Sequence, residues 1–378
     1  MSVDCAPWHV AQLCDPTAAD LIRAAQTKRI MTAQSIFGLT AEQIVPFVER
    51  AVGTPVSSLS INLDHAIDGH PGRQGEKLIP TFIYNTPDGR SGRIVLFVKR
   101  LGQREPIESA QYRHLQQHGA PIPRLYGAIR DADNREILFV EYLEQIYTDD
   151  QVYHRPDLLQ RFIRLVATLN ALPTDETYEA LPHHGAVHPL PPAQVPAVEQ
   201  IAQRATKRKL GAPLAAMFAA GRDVRTQIDS NLRRLGQANA SFPMGFVHGD
   251  LWPHHVGSRS TWHDMLAVDL GLSLFASRFF DIAPFVGPSD DLPALSLTRE
   301  DIADCYLEAY AASGAPRIDR DVFLAEVDAV WLAWNSRRLS WLAEPALGGD
   351  AEALDRICWL LSLILQWKEG EPLHPSAP

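Results

Sequence analysis

Cysteine is sparse in this chain. Cys5, Cys14, Cys305 and Cys358 lie far apart and form no C-x-x-C pair, which argues against a zinc ribbon or a disulfide framework. A reducing, cytoplasmic setting suits such a distribution. Basic excess is also missing. The formal net charge of −10 leaves no positive surface for non-specific nucleic-acid binding, and it is compatible with a cationic partner. The opening residues, Met-Ser-Val-Asp-Cys-Ala-Pro, lack the basic start and apolar core of a secretory signal. The longest apolar run, residues 357–365, is too short to cross a bilayer and predicts a buried helix instead, so no membrane association is expected. Internal repeats and low-complexity tracts are absent. With 46% hydrophobic and 21% charged residues the chain has the composition of an ordinary globular protein, and 378 residues suffice for two lobes.

Helical spacing marks Ala18 to Ala25 and again Leu39 to Ala51, where Thr40 followed by Gln43 forms a capping box and the Gly53-Thr-Pro55 stretch ends the helix. From Ser57 the period changes to that of strands. Residues 58–63 alternate, residues 81–84 are rich in strand formers, 85–89 make a turn, and Arg93 to Lys99 is a strongly apolar strand. A helix from Ile107 to His118 follows, then a strand over 138–143. Beyond it, Asp157 to Leu172 has helical spacing, residues 173–198 form a loop rich in Pro and His, helices resume from Val198 to Gly236, and nearly everything after Asp281 is helical. The pattern is α+β, with a small β-rich part first and a larger helical part second. Its divisions are an N-terminal helical extension over 1–52, a β-rich lobe over 53–143 and a helical lobe over 144–378.

Chemistry concentrates in residues 246–256, Phe-Val-His-Gly-Asp-Leu-Trp-Pro-His-His-Val, and in the run 266–271, Leu-Ala-Val-Asp-Leu-Gly. Each is an apolar strand leading to a carboxylate, Asp250 in the first and Asp269 in the second. Phosphoryl transfer needs such a layout, one carboxylate for the attacking hydroxyl and one for a metal ion against the nucleotide phosphates. Lys99 ends a strand and Glu108 opens the next helix. Read alone, the first is a surface lysine and the second an acid placed well for a helix N-terminus.

Taken together these segments resemble the aminoglycoside phosphotransferase and choline kinase group, the small-molecule branch of the protein-kinase-like fold. The group reads H-G-D-x-x-x-x-N followed by a hairpin and a hydrophobic stretch ending in Asp, which His248, Gly249, Asp250 and Asp269 match. The resemblance implies a bilobal fold and an enzyme that moves the γ-phosphoryl group of ATP to a hydroxyl of a small molecule, such as an aminoglycoside-like antibiotic or a metabolite. It implies that Asp250 is catalytic, that Lys99 grips phosphates and pairs with Glu108, and that backbone around Glu141 to Leu143 holds adenine. It places Asp269 and His255 at magnesium, with Gly69, Gly72 and Gly75 in the phosphate-covering region and Asp281 bracing the catalytic loop.

The chain departs from the group at three positions. His255 stands where the group has a metal-binding Asn, and imidazole suits softer metals than magnesium, so manganese becomes an alternative. Phe97 is large where the fold has a small residue, and Gly257 is small where a bulky one forms the adenine floor, an exchange that can conserve volume. These departures leave open a binding protein of the same fold with weak or absent catalysis. A third reading, a transition-metal enzyme using His248, His254, His255, Asp250, His263 and Asp269, draws on local histidine density. Trp331, Trp334 and Trp341, at helical spacing, read as core residues near an acceptor cleft.

Overall fold

In the computed structural model, residues 35–67, 76–102, 108–173, 183–185, 187–194, 198–205, 214, 216, 219–259, 264–288 and 292–373 are described. The readings at Ala18–Ala25, at the three glycines near residue 70 and at His263 fall outside them. A two-residue hairpin, β1 (Ser35–Ile36) and β2 (Leu39–Thr40), leads into α1 (Ala41–Val52), where the Thr40 N–H donates to Gln43 Oε1 at 2.9 Å as the capping pattern requires. Five strands then form one antiparallel sheet. They are β3 (Ser58–Ile67), β4 (Glu76–Asn85), β5 (Ser91–Arg100), β6 (Leu125–Arg130) and β7 (Glu136–Glu141), in spatial order β3-β4-β5-β7-β6. The edge strand β6 carries no clear alternation and was not anticipated from the sequence. Its place comes from pairing with β7.

Alternation along the central strands decides what each face of this sheet does. On β5 and β7, Leu96, Val98, Ile137 and Phe139 point to the α1 side, where they bury against Ile44, Phe47 and Val48. The Phe47 and Phe139 rings stack there at 4.4 Å. The intervening residues Phe97, Leu138 and Val140 point the other way, into the main core with Tyr112 and Leu115 of α2 (Glu108–Gln117). Lys99 lies two residues after Phe97 and therefore emerges on the α2 face.

The remainder is mostly helical. A two-residue strand β8 (Gln145–Ile146) is followed by α3 (Asp149–Tyr153), α4 (Pro156–Asn170), a short strand β9 (His183–Gly185), α5 (Val198–Ala205) and α6 (Val224–Ser241). Next come β10 (Met244–Val247), β11 (Val256–Ser258), β12 (Leu266–Ala267) and β13 (Leu274–Ser277). Five helices close the chain: α7 (Ala283–Val286), α8 (Arg299–Ala312), α9 (Arg320–Ser336), α10 (Leu339–Gly348) and α11 (Ala351–Gln366). Residues 173–198 were expected to be loop throughout. Instead the three-residue strand β9 joins β13 in parallel, too short to leave a periodic signal. The run 357–365 is the buried face of α11, as expected. No helix among the described residues is long and apolar enough to cross a membrane.

The chain thus adopts the two-lobed α+β arrangement of the protein-kinase-like fold. Antiparallel pairing of β10 with β13 brings residues 247 and 274 together, so the loops after β10 and after β12 meet beside the sheet. Strand β8 adds to β11 and ties the chain leaving β7 to this hairpin.

Candidate active site

A buried ammonium needs counter-charges, and Lys99 has two. Its side chain is 3% exposed, with Nζ 2.8 Å from Glu108 Oε2 and 2.7 Å from Asp269 Oδ1. Burial opposes the lysine charge, but Glu108 and Asp269 together hold its pKa above the ordinary value. Asp269 shows the converse. Burial would raise its carboxyl, yet Lys99 and Lys77 keep it well below the usual carboxylate range. Lys77 on β4 contributes the second contact, Nζ to Asp269 Oδ2 at 3.2 Å. Asp269 itself adopts a left-handed backbone at φ 60°, a conformation uncommon outside glycine and frequent at functional positions.

The loop after β10 is held from below. Asp281 is buried, and its carboxylate accepts from the backbone N–H of His248 at 2.8 Å, from that of Gly249 at 2.9 Å and from Asn170 Nδ2 at 3.0 Å. Asn170 in turn accepts from the Tyr306 hydroxyl at 3.1 Å, so the brace runs from α8 through α4 to the loop. Burial pushes the Asp281 carboxyl up, with the His248, Gly249 and Asn170 contacts working against it. The His248 ring bonds the Val268 carbonyl at 2.8 Å and so links this loop to the one carrying Asp269. Gly249 has φ 82°, and a Cβ there would lie 2.5 Å from the Leu272 carbonyl oxygen, so this turn admits only glycine.

Asp250 follows immediately, its side chain 33% exposed. Among the described residues no hydrogen bond ties down its carboxylate, and the His255 ring lies beside it, with Nδ1 3.5 Å from Oδ2. The same Nδ1 donates to the Asp250 carbonyl at 2.7 Å. A carbonyl can only accept, so the proton sits on Nδ1. Burial favours the neutral ring despite nearby Asp250, which leaves Nε2 as a bare lone pair. The neighbouring His254 bonds Asp149 Oδ1 at 2.9 Å and is thereby anchored to α3.

A divalent cation beside Asp269 would find one ionised carboxylate and this neutral imidazole nitrogen. No group of three or more His, Cys, Asp or Glu able to hold a metal occurs among the described residues. A cation held by these two groups alone would keep its remaining ligands from water or phosphate.

The connection between the lobes has its own anchor. The Glu141 N–H donates to the Arg124 carbonyl at 2.8 Å. Its side chain accepts from Arg124 N–H at 3.0 Å and receives both arms of Arg259, at 2.7 and 3.1 Å. Burial opposes the Glu141 charge, and Arg259 with Arg124 brings its carboxyl below the usual value. Leu143 is buried. A Cβ on Gly257 would come within 2.7 Å of Leu143 Cδ1 and 2.8 Å of Ile146 Cδ1. Leu143 and Ile146 thus fill the space that the small residue leaves.

The structure therefore brings Lys99, Glu108 and Asp269 into one cluster, places Asp250 and His255 on the adjoining loop, and sets Glu141 and Leu143 where β7 hands over to β8. Sequence reasoning missed Lys77, Arg259 and the Asn170–Tyr306 brace, whose roles depend on pairings between distant segments. The tryptophans divide. Trp331 is core at 3% exposure, but Trp334 and Trp341 are 41% and 46% exposed, contrary to the core reading for those two. Trp334 meets the Phe280 ring edge-on at 5.1 Å, with Arg337 over its face at 5.2 Å.

Residues 80–322, well over half of the chain, match the phosphotransferase enzyme family. The chain belongs to that family. Its resemblance to aminoglycoside phosphotransferases and choline kinases, read from the motifs, holds at this level. Similar solved structures include Plasmodium vivax ethanolamine kinase, at 12% identity over 95% of this chain and 97% of that one, with a TM-score of 0.43. Choline kinase from Cryptosporidium parvum Iowa II matches at 12% identity over 86% and 94%, with a TM-score of 0.40. Spectinomycin phosphotransferase, solved with ADP and spectinomycin, matches at 11% identity over 88% and 100%, with a TM-score of 0.41. No curated protein matches in sequence.

Proposed function

We propose that the protein transfers the γ-phosphoryl group of ATP to a hydroxyl of a small molecule, an aminoglycoside-like antibiotic or a metabolite. The observation that carries this is the Lys99–Glu108–Asp269 cluster standing beside a braced loop that presents Asp250. Phosphoryl transfer asks a protein mainly for positioning and charge neutralisation, and these residues are arranged for both. In this reading the β-rich lobe over 53–143 presents the nucleotide and the helical lobe over 144–378 presents the acceptor.

Lys99, aimed by Glu108, binds the α- and β-phosphates. Backbone groups from Glu141 to Leu143 take the adenine edge, leaving out the Glu141 N–H, which is already bonded to the Arg124 carbonyl. Asp250 orients the acceptor hydroxyl and receives its proton, a task for which a carboxylate free of hydrogen bonds is well suited. Asp269 and the His255 Nε2 lone pair would hold magnesium or manganese, and that cation when bound supplies neutralising charge to the phosphates. The exposed Trp334 and Arg337, beside the half-buried Phe280 that precedes Asp281, offer a face on which an acceptor ring can stack.

The test is a panel of aminoglycosides and hydroxylated metabolites assayed for ATP consumption with magnesium and with manganese. One acceptor that drives turnover supports the reading. Clean ATP binding with no turnover across the panel would identify a binding protein of the same fold instead. His255→Asn, which replaces imidazole by an oxygen donor, should tilt metal preference toward magnesium. Identical metal preference in the two proteins would remove His255 from the metal.

A further inference from the structure

Lys77 has no part in the phosphate site as read from the sequence, yet it reaches the centre of the cluster. It stands on β4 directly opposite Lys99 on β5 in the sheet register, so both side chains leave the same face. Like charges placed opposite each other on a sheet repel. A single carboxylate reconciles them here, Asp269, with Lys99 on Oδ1 at 2.7 Å and Lys77 on Oδ2 at 3.2 Å. Lys99 has Glu108 as a second partner, whereas Asp269 is the only carboxylate paired with Lys77 among the described residues. The Lys77 side chain is 20% exposed, and Asp269 is the counter-charge at its ammonium.

The pairing has a consequence for the site's chemistry. A divalent cation on Asp269 must compete with two ammoniums, and the outer oxygen is the less tightly held. If the cation takes Oδ2, Lys77 loses its partner while facing the position where triphosphate oxygens must sit to share that cation. Phosphate oxygens are then the anions within reach. Resting on the nucleotide-site reading above, we propose that Lys77 is a second phosphate-binding lysine. In the free protein it neutralises Asp269, and on binding of a nucleoside triphosphate with its metal it passes to the phosphates.

Two direct binding measurements test this without reference to turnover. One is ATP affinity in magnesium by calorimetry, and the other is manganese affinity of the nucleotide-free protein by electron paramagnetic resonance. Lys77→Met should weaken ATP roughly tenfold or more, the loss expected for one charge-assisted hydrogen bond. The same variant should tighten manganese on the nucleotide-free protein, because the competing ammonium is gone. Lys77→Arg, which keeps the charge, should stay near wild type in both. Opposite signs for nucleotide and metal are the signature, since a purely structural ion pair would move both the same way or neither. An unchanged ATP affinity in Lys77→Met, or weaker manganese binding, overturns the proposal. If Lys99→Ala also leaves ATP affinity unchanged, the nucleotide-site reading has failed as well. If Lys99→Ala abolishes binding while Lys77→Met does nothing, only the role of Lys77 has.

Discussion

Two aspartates nineteen positions apart occupy adjoining loops of one small β unit, and their surroundings could hardly differ more. Asp269 is 17% exposed, capped on both oxygens by lysines and held ionised. Asp250 is 33% exposed and, among the described residues, carries no hydrogen bond on its carboxylate, although the backbone just before it is pinned by Asp281. The contrast separates two kinds of preorganisation. Phosphate charge must be met by groups already in place, because rearranging buried charges during a reaction is costly. In the proposed function Asp250 accepts a proton, a task that needs a fixed origin and a free end, and the brace beneath it supplies the one while leaving the other.

The most severe test removes the cation from the closed cluster. Lys99→Ala takes the shared ammonium from Glu108 and Asp269 and leaves Lys77 on Asp269 alone, so urea unfolding should show a loss of about 3–5 kcal/mol, together with loss of ATP binding. A variant as stable as wild type would mean that the cluster is not the charge-balanced unit described here.

Next is the open aspartate. Asp250→Asn should lower turnover roughly 10²–10⁴-fold, the range for general acid–base groups. ATP affinity should be little changed, and stability should move by no more than about 0.5 kcal/mol, as for substitutions that break no buried contact. Calorimetry alongside the turnover assay checks all three, and a large loss of ATP affinity would mean that the two aspartates are not divided as argued.

The brace sharpens the comparison further. Asp281→Ala strands the His248 and Gly249 N–H groups, each at a cost of about 1–3 kcal/mol, and should displace the loop. Turnover should fall while ATP affinity is retained, because Lys99 and its partners do not touch Asp281. Equal loss of both would show that the two loops move as one.

The smallest effect concerns the anchor between the lobes. The folded Glu141 carboxyl lies below its unfolded value, near pH ~4.3. Its pairing with Arg259 therefore stabilises the fold above that pH and is lost as pH falls through the lower folded value. Between pH ~5 and ~3 wild type should lose more stability than Glu141→Gln, by about 1 kcal/mol or less for a partly exposed pair. Parallel acid unfolding curves would deny Glu141 that role.

Much of this was legible in the chain before any folding. Helix α1 and its capping pair, the strands β4, β5 and β7, the long helices and the two aspartate loops all follow from apolar period, turn residues and contiguous motifs, because side-chain direction in a helix or strand repeats locally. Lys99, Glu108 and Asp281 were picked out by the family resemblance of the surrounding motifs, since alone their residue types point to nothing beyond a strand end, a helix start and a buried acid. Tertiary structure decided the rest. Lys77 faces Lys99 only because β4 and β5 pair in one register, and a slip of one residue would turn it to the α1 face. Arg259 meets Glu141, Leu143 and Ile146 cover Gly257, and Tyr306 supports Asn170 across more than a hundred residues. Trp331 and Trp334 share a helix yet only one is buried. Contacts of this kind are not encoded by local period, since they depend on which distant surface arrives to cover a residue.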